Sequence, residues 1–469
     1  VDAAYGIAVD VGSTTVAGHL CELKSGEIVS SYGLMNPQIR FGEDLMSRVS
    51  YVMMNPGGEV ELTNAIRAAL NEMINGLVTK ADVDIERVLE ITIVGNPIMH
   101  HIVLGIDPTP LGMAPFVLAT SESVSGWANE LDLKLPNASY YVGPCIAGHV
   151  GADTAAAILA EGPHRSSEMQ LLVDIGTNAE IVLGNTEKQF AASSPTGPAF
   201  EGAQISAGQR ATAGAIEHVR IDRETLEPRV KVIGSDLWSD EPGFVESLGD
   251  TAVTGICGSG IIEVIGEMYL SGIIDQDGVV RGELANKSPR IVGDDRTFSY
   301  LFYESGETKL YVTQNDVRAI QLAKAALRAG IDLLVEHAGS PIVQDIRLAG
   351  AFGAHIDPVY AMVLGLVPDC PVAGVRAVGN AAGAGAVQSL LSRRLRHEME
   401  DAVRKVTKIE TATEPRFQQL FVEAMAFPHK TAETPNLAKV IDLPARSLNN
   451  NDGQSRSGRR RRSVSGVAE

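Results

Sequence analysis

Cysteine is scarce and scattered. The four residues, Cys21, Cys145, Cys257 and Cys370, stand more than a hundred positions apart. No pair has the spacing of a zinc site or an iron–sulfur run. Reduced thiols and a cytoplasmic location are the expectation. Long apolar runs are missing too: no stretch is long enough to span a bilayer and no secretory leader is legible, so no membrane partner is expected. Basic charge is in short supply, with 39 Lys and Arg against 58 Asp and Glu. From Pro428 onward eight Lys/Arg outweigh four Asp/Glu, so the tail carries +4 and leaves the body at −23 of the chain's −19. A body this acidic argues against a broad nucleic-acid surface but leaves room for a local phosphate site. Aromatics are 5% of the residues, whereas glycines number 47. That balance suits an α/β protein with tight turns and close backbone approaches. At 469 residues the chain exceeds one ordinary core, and two lobes are expected.

What the chain does have is a repeated hairpin. "IAVDVGSTTVAGHL" (7–20) and "LLVDIGTNAEIVLG" (171–184) each run from apolar residues through Asp-x-Gly to a polar tip and back. Both read as strand, turn and strand. An offset of 164 residues matches Asp10 to Asp174, Gly12 to Gly176, Ser13 to Thr177 and Thr14 to Asn178. One such hairpin is weak evidence, since Asp and Gly make ordinary turns. Two, a domain apart, point to an internal duplication. Helical patterns cover 61–79, 151–162 and 313–339. "RLAGAFG" (347–353) reads as a strand entering a Gly-containing turn, and "NNNDGQSRSGRRRRSVSGVAE" as a low-complexity tail with a solvated arginine run at 459–462.

Two such tips facing each other make a phosphate clamp. Turn N–H groups bind phosphate oxygens and glycine admits close approach. Ser13, Thr14, Thr15, Thr177 and Asn178 add side-chain hydrogen bonds. Asp10 and Asp174, which repel phosphate, suit a hydrated Mg²⁺ instead. Gly350 and Gly353 provide a flat backbone for a nucleoside. Gln321 and Lys324, on one face of the long helix, are candidates for the same nucleoside, with a solvated helix face as the equal alternative. Asp153 and Glu180 are the candidates for orienting an attacking water. His100 and His101 are adjacent and do not share a helix face, which favours a structural or partner-contact role over a metal pair. Cys257 and Cys145 read as small buried residues.

The two hairpins, "TAAAILA" and "LAGAFG" together resemble the superfamily of actin, sugar kinase and heat-shock chaperone ATPases. More narrowly, "AVDVGSTTVAGHL", "NPQIRFGEDLMSRV", "VGNPIMHHIVLGIDPTPLG", "GPAFEGAQISAGQRATAGAIEHV", "GICGSGIIEVI" and "LAGAFGAHIDP" resemble the reductive activators of corrinoid proteins. The resemblance runs from residue 5 to about 427. It implies a two-lobed, actin-like (ribonuclease H-like) α/β fold with duplicated mixed sheets, lobes at 1–165 and 166–427, and a disordered tail at 428–469. It implies ATP and Mg²⁺ as ligands, with Asp10 and Gly12 to Thr15 as the first phosphate loop, Asp174 and Gly176 to Asn178 as the second, and Gly350 and Gly353 as the adenosine turn. The implied activity is ATP-dependent return of a corrinoid (cobalamin-binding) protein from Co(II) to Co(I) in methyl transfer, with a homodimer as the assembly. Family members usually carry an N-terminal ferredoxin-like domain with a [2Fe–2S] cluster. No such cysteine cluster is present here, so an upstream or external electron donor is expected. "SSPT" before "GPAFEG" also departs from the small residues expected there. A small-molecule kinase and a non-catalytic nucleotide-gated scaffold remain the alternatives.

Overall fold

A computed structural model describes residues 3–42, 44–293, 296–353 and 355–445. The first half contains β1 (Tyr5–Val11), β2 (Thr15–Glu22), β3 (Ile28–Met35), α1 (Leu45–Met54), α2 (Gly58–Ala81), β4 (Val88–Gly95), α3 (Pro97–Leu104), β5 (Val124–Trp127) and β6 (Ser139–Val142). Its strands form one mixed sheet in the order β3-β2-β1-β4-β6-β5. α4 (Ala152–Glu161) leads to a second meander, β7 (Gln170–Ile175), β8 (Ala179–Gly184) and β9 (Gln189–Ser194).

An insertion follows. It comprises β10 (Ala215–Ile221), β11 (Pro228–Val232), α5 (Phe244–Leu248), β12 (Gly255–Ile256), α6 (Gly258–Leu270), β13 (Ile291–Gly293), β14 (Phe298–Ser305) and β15 (Thr308–Val312), and it forms two three-stranded sheets. The chain then returns through α7 (Gln314–His337), β16 (Asp345–Ala349), α8 (Gly350–Gly353), α9 (Pro358–Leu364), β17 (Val375–Gly379), α10 (Ala381–Leu391), α11 (Arg393–Lys405), β18 (Val406–Lys408) and α12 (Phe417–Ala424). The second mixed sheet runs β17-β16-β7-β8-β9-β18.

The two sheets share a plan. β1 and β7 are inner strands, each antiparallel to the next strand in sequence and parallel to a later one, β4 or β16. Inner strands have both faces covered, which explains their near-continuous apolar runs. This is the two-lobed α/β arrangement with duplicated mixed sheets that the sequence predicts. α2 buries Leu62, Ile66, Leu70, Met73 and Leu77 at helical spacing against the first sheet. α4 belongs to both halves. Its Ala155, Ala156 and Leu159 pack with Ala8 of β1 and with Ala386 and Leu390 of α10, while Ala157 and Ile158 pack with Leu172 and Val182 of the second sheet. α10 thus leaves the second sheet and crosses back onto the first.

The tail needs revision in part. Residues 428–445 are packed rather than loose: Leu437 is fully buried in the second core, and its N–H and that of Asn436 are held by the Asp369 carboxylate. The rest of the tail, 446–469 with its arginine run, lies outside the described residues. No described helix is long and apolar enough to cross a membrane.

Candidate functional site

β1 and β7 both carry their aspartate just before the strand ends. The first tip turns through Gly12, whose N–H bonds Thr15 O at 3.0 Å; a Cβ at Gly12 would stand 2.6 Å from that oxygen. The second turns through Gly176, whose N–H bonds Asn178 O at 3.1 Å. The tips differ in length. Asp10 pairs with Ala17 across its hairpin and Asp174 with Glu180. The first tip therefore has one residue more, Thr15 has no counterpart, and the 164-residue offset ends at Asn178. The consequence is chemical: the position opposite the aspartate is Ala17 in one lobe and a carboxylate, Glu180, in the other.

Both tips open on one cavity of about 920 Å³. Asp10, Gly12, Ser13, Thr14 and Thr15 line it from the first sheet, and Asp174, Gly176, Thr177, Asn178 and Glu180 from the second. Asp153 enters from the first turn of α4 and Gly350 from the end of β16. Gly350 has φ +89°, and a Cβ there would stand 2.5 Å from Asp174 Oδ1. Only glycine fits both demands.

The structure thus assembles four carboxylates that the sequence separates by up to 170 positions. Burial raises Asp10 to about 7, the Asp153 charge adds to this, and the Asn380 amide opposes it. Burial and the charges of Asp153 and Asp10 hold Asp174 at about 7. Burial raises Asp153 to about 6, against hydrogen bonds from Thr154. Burial and the charges of Asp153 and Asp174 push Glu180 well above the carboxylate range. Among the described residues, no group of three His, Cys, Asp or Glu side chains is arranged to hold a metal ion directly.

Several lining residues were not singled out from the sequence. Asn380 caps α10 by accepting from Gly383 N–H and donates to Asp10 Oδ2 at 3.0 Å, 370 positions away. Asn96 caps α3 at the end of β4. Phe200 and Phe352 stack with centroids 5.4 Å apart and planes 9° apart. Glu201 accepts from the Thr177 hydroxyl at 2.9 Å. The "SSPT" departure also finds a place: Thr196 Oγ1 bonds the carbonyls of Gly176 and Thr177 at 2.8 and 3.0 Å, bracing the second tip from behind. A helix-start pattern in "GNAAGAGA" was the available signal for Asn380. Nothing local announced its partner.

Other candidates fall elsewhere. Gln321 and Lys324 do not line the cavity. Gln321 Nε2 donates to the carbonyls of Asp277 and Met425, and Lys324 Nζ to those of Leu364, Ala426 and Pro428 at 2.6, 2.6 and 2.8 Å. Both are spent inside the second lobe, so neither reaches a nucleoside in the cavity. Gly353 sits in the turn behind Phe352 and is not a lining residue. His101 donates from Nδ1 to Pro97 O at 2.9 Å and accepts Ala119 N–H at Nε2. That fixes it as a neutral structural histidine. Burial presses its neighbour His100 down to about 3. The four cysteines are free and buried. Burial pushes the Cys21 and Cys370 thiols up to about 11 and Cys145 higher.

Comparison with known proteins adds the family context. The family described as the RACo middle region matches residues 5–166, and that described as the C-terminal domain of RACo, the ASKHA domain, matches 168–438. A Eubacterium limosum protein described as corrinoid activation enzyme RamQ is 35% identical over 430 residues, covering 89% of this chain and 69% of the relative. A Methanosarcina barkeri protein described as a Co(II) methylated amine-specific corrinoid protein reductase is 25% identical over 449 residues, covering 90% and 77%. A solved structure of a reductive activator for a corrinoid, iron–sulfur protein superposes with a TM-score of 0.77 at 32% identity, covering 91% of this chain and 66% of the other. The chain therefore spans about two thirds of that solved activator's length.

Proposed function

This chain belongs to the RACo family, whose C-terminal part is an ASKHA domain, and from that premise we propose that it is an ATP-dependent reductive activator of a corrinoid protein, returning cobalt from Co(II) to Co(I) in a methyl-transfer system. The observation that carries the nucleotide part is the meeting of two Asp–Gly tips, one from each sheet, across a single cavity. The names of the relatives supply the corrinoid partner. The same reading assigns the ATPase lobes to 1–165 and 166–427.

The donor set fits a hydrated divalent cation. Four half-buried carboxylates repel one another, and none is paired with Lys or Arg among the described residues. Hard oxygen donors of this kind suit Mg²⁺ held through water, with Asp10 and Asp174 as its holders. When bound, the ion would neutralise phosphate charge. Ser13, Thr14, Thr15, Thr177 and Asn178 offer hydroxyl, amide and backbone donors to phosphate oxygens on both sides. Asp153 and Glu180 divide the remaining work. Burial and the charges of Asp153 and Asp174 push Glu180 well above the carboxylate range, while burial raises Asp153 to about 6, still below neutral pH. Asp153 is then the group that accepts a proton-bearing contact from the attacking water. An electron carrier is a different matter. Four buried cysteines in separate elements do not fit an iron–sulfur cluster, so the electron comes from outside the residues described here. One electron per cobalt is taken from that donor, and ATP turnover drives the lobe rearrangement that lets it pass.

The test is the absorbance change of a candidate corrinoid protein going from Co(II) to Co(I), with a low-potential donor, with and without ATP. Asp174→Ala is expected to lower both ATP turnover and reactivation by about a hundredfold or more while circular dichroism stays unchanged. Native turnover in that variant would overturn the reading.

A further inference from the structure

The stretch "NPQIRFGEDLMSRV" contains three polar side chains with no exposed surface, Asn36, Gln38 and Arg48. None lines the cavity. Asn36 and Arg48 sit behind the first tip and take hold of its carbonyls in sequence, while Gln38 donates to Leu62 O and accepts from Arg48. Asn36 Nδ2 donates to Gly12 O at 2.9 Å, Arg48 Nη2 to Ser13 O, and the Asn36 backbone N–H to Thr14 O at 2.8 Å. In a trans peptide the C=O and the following N–H point opposite ways. Pinning three consecutive oxygens into the protein turns the N–H groups of Ser13, Thr14 and Thr15 the other way, and these three residues line the cavity.

Arg48 is the unusual member. Its Nε donates to Gly42 O at 3.1 Å and its Nη1 to Gln38 Oε1 at 3.3 Å and Met99 Sδ at 3.4 Å. All of these acceptors are neutral. The carboxylate acting on it is Asp44, which spends Oδ1 on capping α1 through Ser47 N–H. Burial lowers its pKa only to about 10, so the charge persists at neutral pH. Among the described residues Arg48 makes no ion pair; a buried cation of this kind is destabilising, and an apolar side chain of the same volume would pack there at less cost. The second tip needs no such device, being braced by the neutral Thr196 hydroxyl.

We propose that Arg48 is a positioning residue of the nucleotide site: it fixes the N–H groups of the first tip toward the cavity and places a positive charge behind them that favours phosphate. This rests on the nucleotide reading above. The probes are ATP and adenosine, titrated against the native chain, Arg48→Lys and Arg48→Met. Arg48→Met is expected to weaken ATP binding by about tenfold or more with adenosine binding unchanged. Arg48→Lys keeps the charge but cannot hold Ser13 O and Gly42 O together, so it recovers most of the ATP affinity and stays severalfold weaker than native. Equal losses for ATP and adenosine in either variant, or native ATP affinity in Arg48→Lys, would overturn the proposal. The second criterion stands even if Arg48→Met fails to fold. A native chain that binds no ATP would sink the nucleotide reading itself, which is a distinguishable result.

Discussion

Asp10 is held where its charge is unwelcome. One pKa unit corresponds to about 1.4 kcal/mol, so a rise from 3.8 to about 7 means that ionising it in the fold costs about 4 kcal/mol. The folded pKa is above the unfolded one. From about pH 4 to about pH 7 the folded chain therefore keeps a proton the unfolded chain has lost, and stability falls with rising pH across that window before levelling off. Asp10→Asn removes the charge and keeps an oxygen for Asn380 to donate to. It is expected to raise the melting temperature by a few degrees at pH 8, less so at pH 5, while abolishing ATP turnover. Scanning calorimetry at the two pH values checks this. A lower melting temperature at pH 8 would show that Asp10 is paired rather than strained in the free protein. A site residue that destabilises its own fold is the signature expected where a cation or phosphate is to be gathered.

At the scale of elements, α7 shows why helix periodicity reads a face but not its neighbour. Gln321, Lys324, Arg328 and Asp332 follow one another at helical spacing, and all turn inward. Arg328 bonds Asp332 at 2.8 Å and Val367 O at 3.1 Å, and Lys324 takes three carbonyls, two of them from the chain at 426–428. Burial pushes the Lys324 ammonium toward losing its proton, yet only the charged form has the three N–H donors these bonds use. Lys324→Met would leave three buried carbonyls unsatisfied, at about 1–3 kcal/mol each. A clear drop in melting temperature with unchanged ATP affinity is expected; weakened ATP binding without loss of stability would return Lys324 to the nucleotide. Local signals made much else legible. The Asp–Gly tips, the helix from Leu62 to Leu77 and the Gly350 turn follow from period and turn chemistry. What stayed hidden depends on partners distant in sequence: Asn380 on Asp10, Lys324 on Ala426 and Pro428, and Leu437 on the second core. The extra residue in the first tip was hidden for a different reason, since a count of matching residues up to Asn178 gives no hint of where the strands resume pairing.

For the whole molecule, the actin-like ASKHA fold puts the candidate site at the ends of its two crossing helices. α4, with Gly151 at its N-cap, brings in Asp153; α10, capped by Asn380, holds Asp10 through that cap. Both helix N-termini therefore open on the cavity, where their dipoles favour negative charge. A movement of one sheet relative to the other has to be taken up between these helices, and their contact is made of small residues. Gly385 of α10 lies so close to Ala156 of α4 that an added Cβ would collide with the Ala156 carbonyl oxygen, a backbone atom that cannot step aside. Gly385→Ala is thus a wedge of one methyl group, placed away from every carboxylate and every tip. Overpacking of this kind costs about 1–3 kcal/mol. Because Asn380 and Asp153 ride on the two helices being parted, the wedge also shifts Asp10 and Asp153 relative to each other. ATP turnover is expected to fall by about tenfold for a displacement of this size, together with a modest loss of melting temperature. Ala384→Ser, on the exposed face of the same helix, is expected to leave both unchanged. Native turnover in Gly385→Ala, measured alongside that control, would show that the spacing of the crossing helices is not what aligns the site.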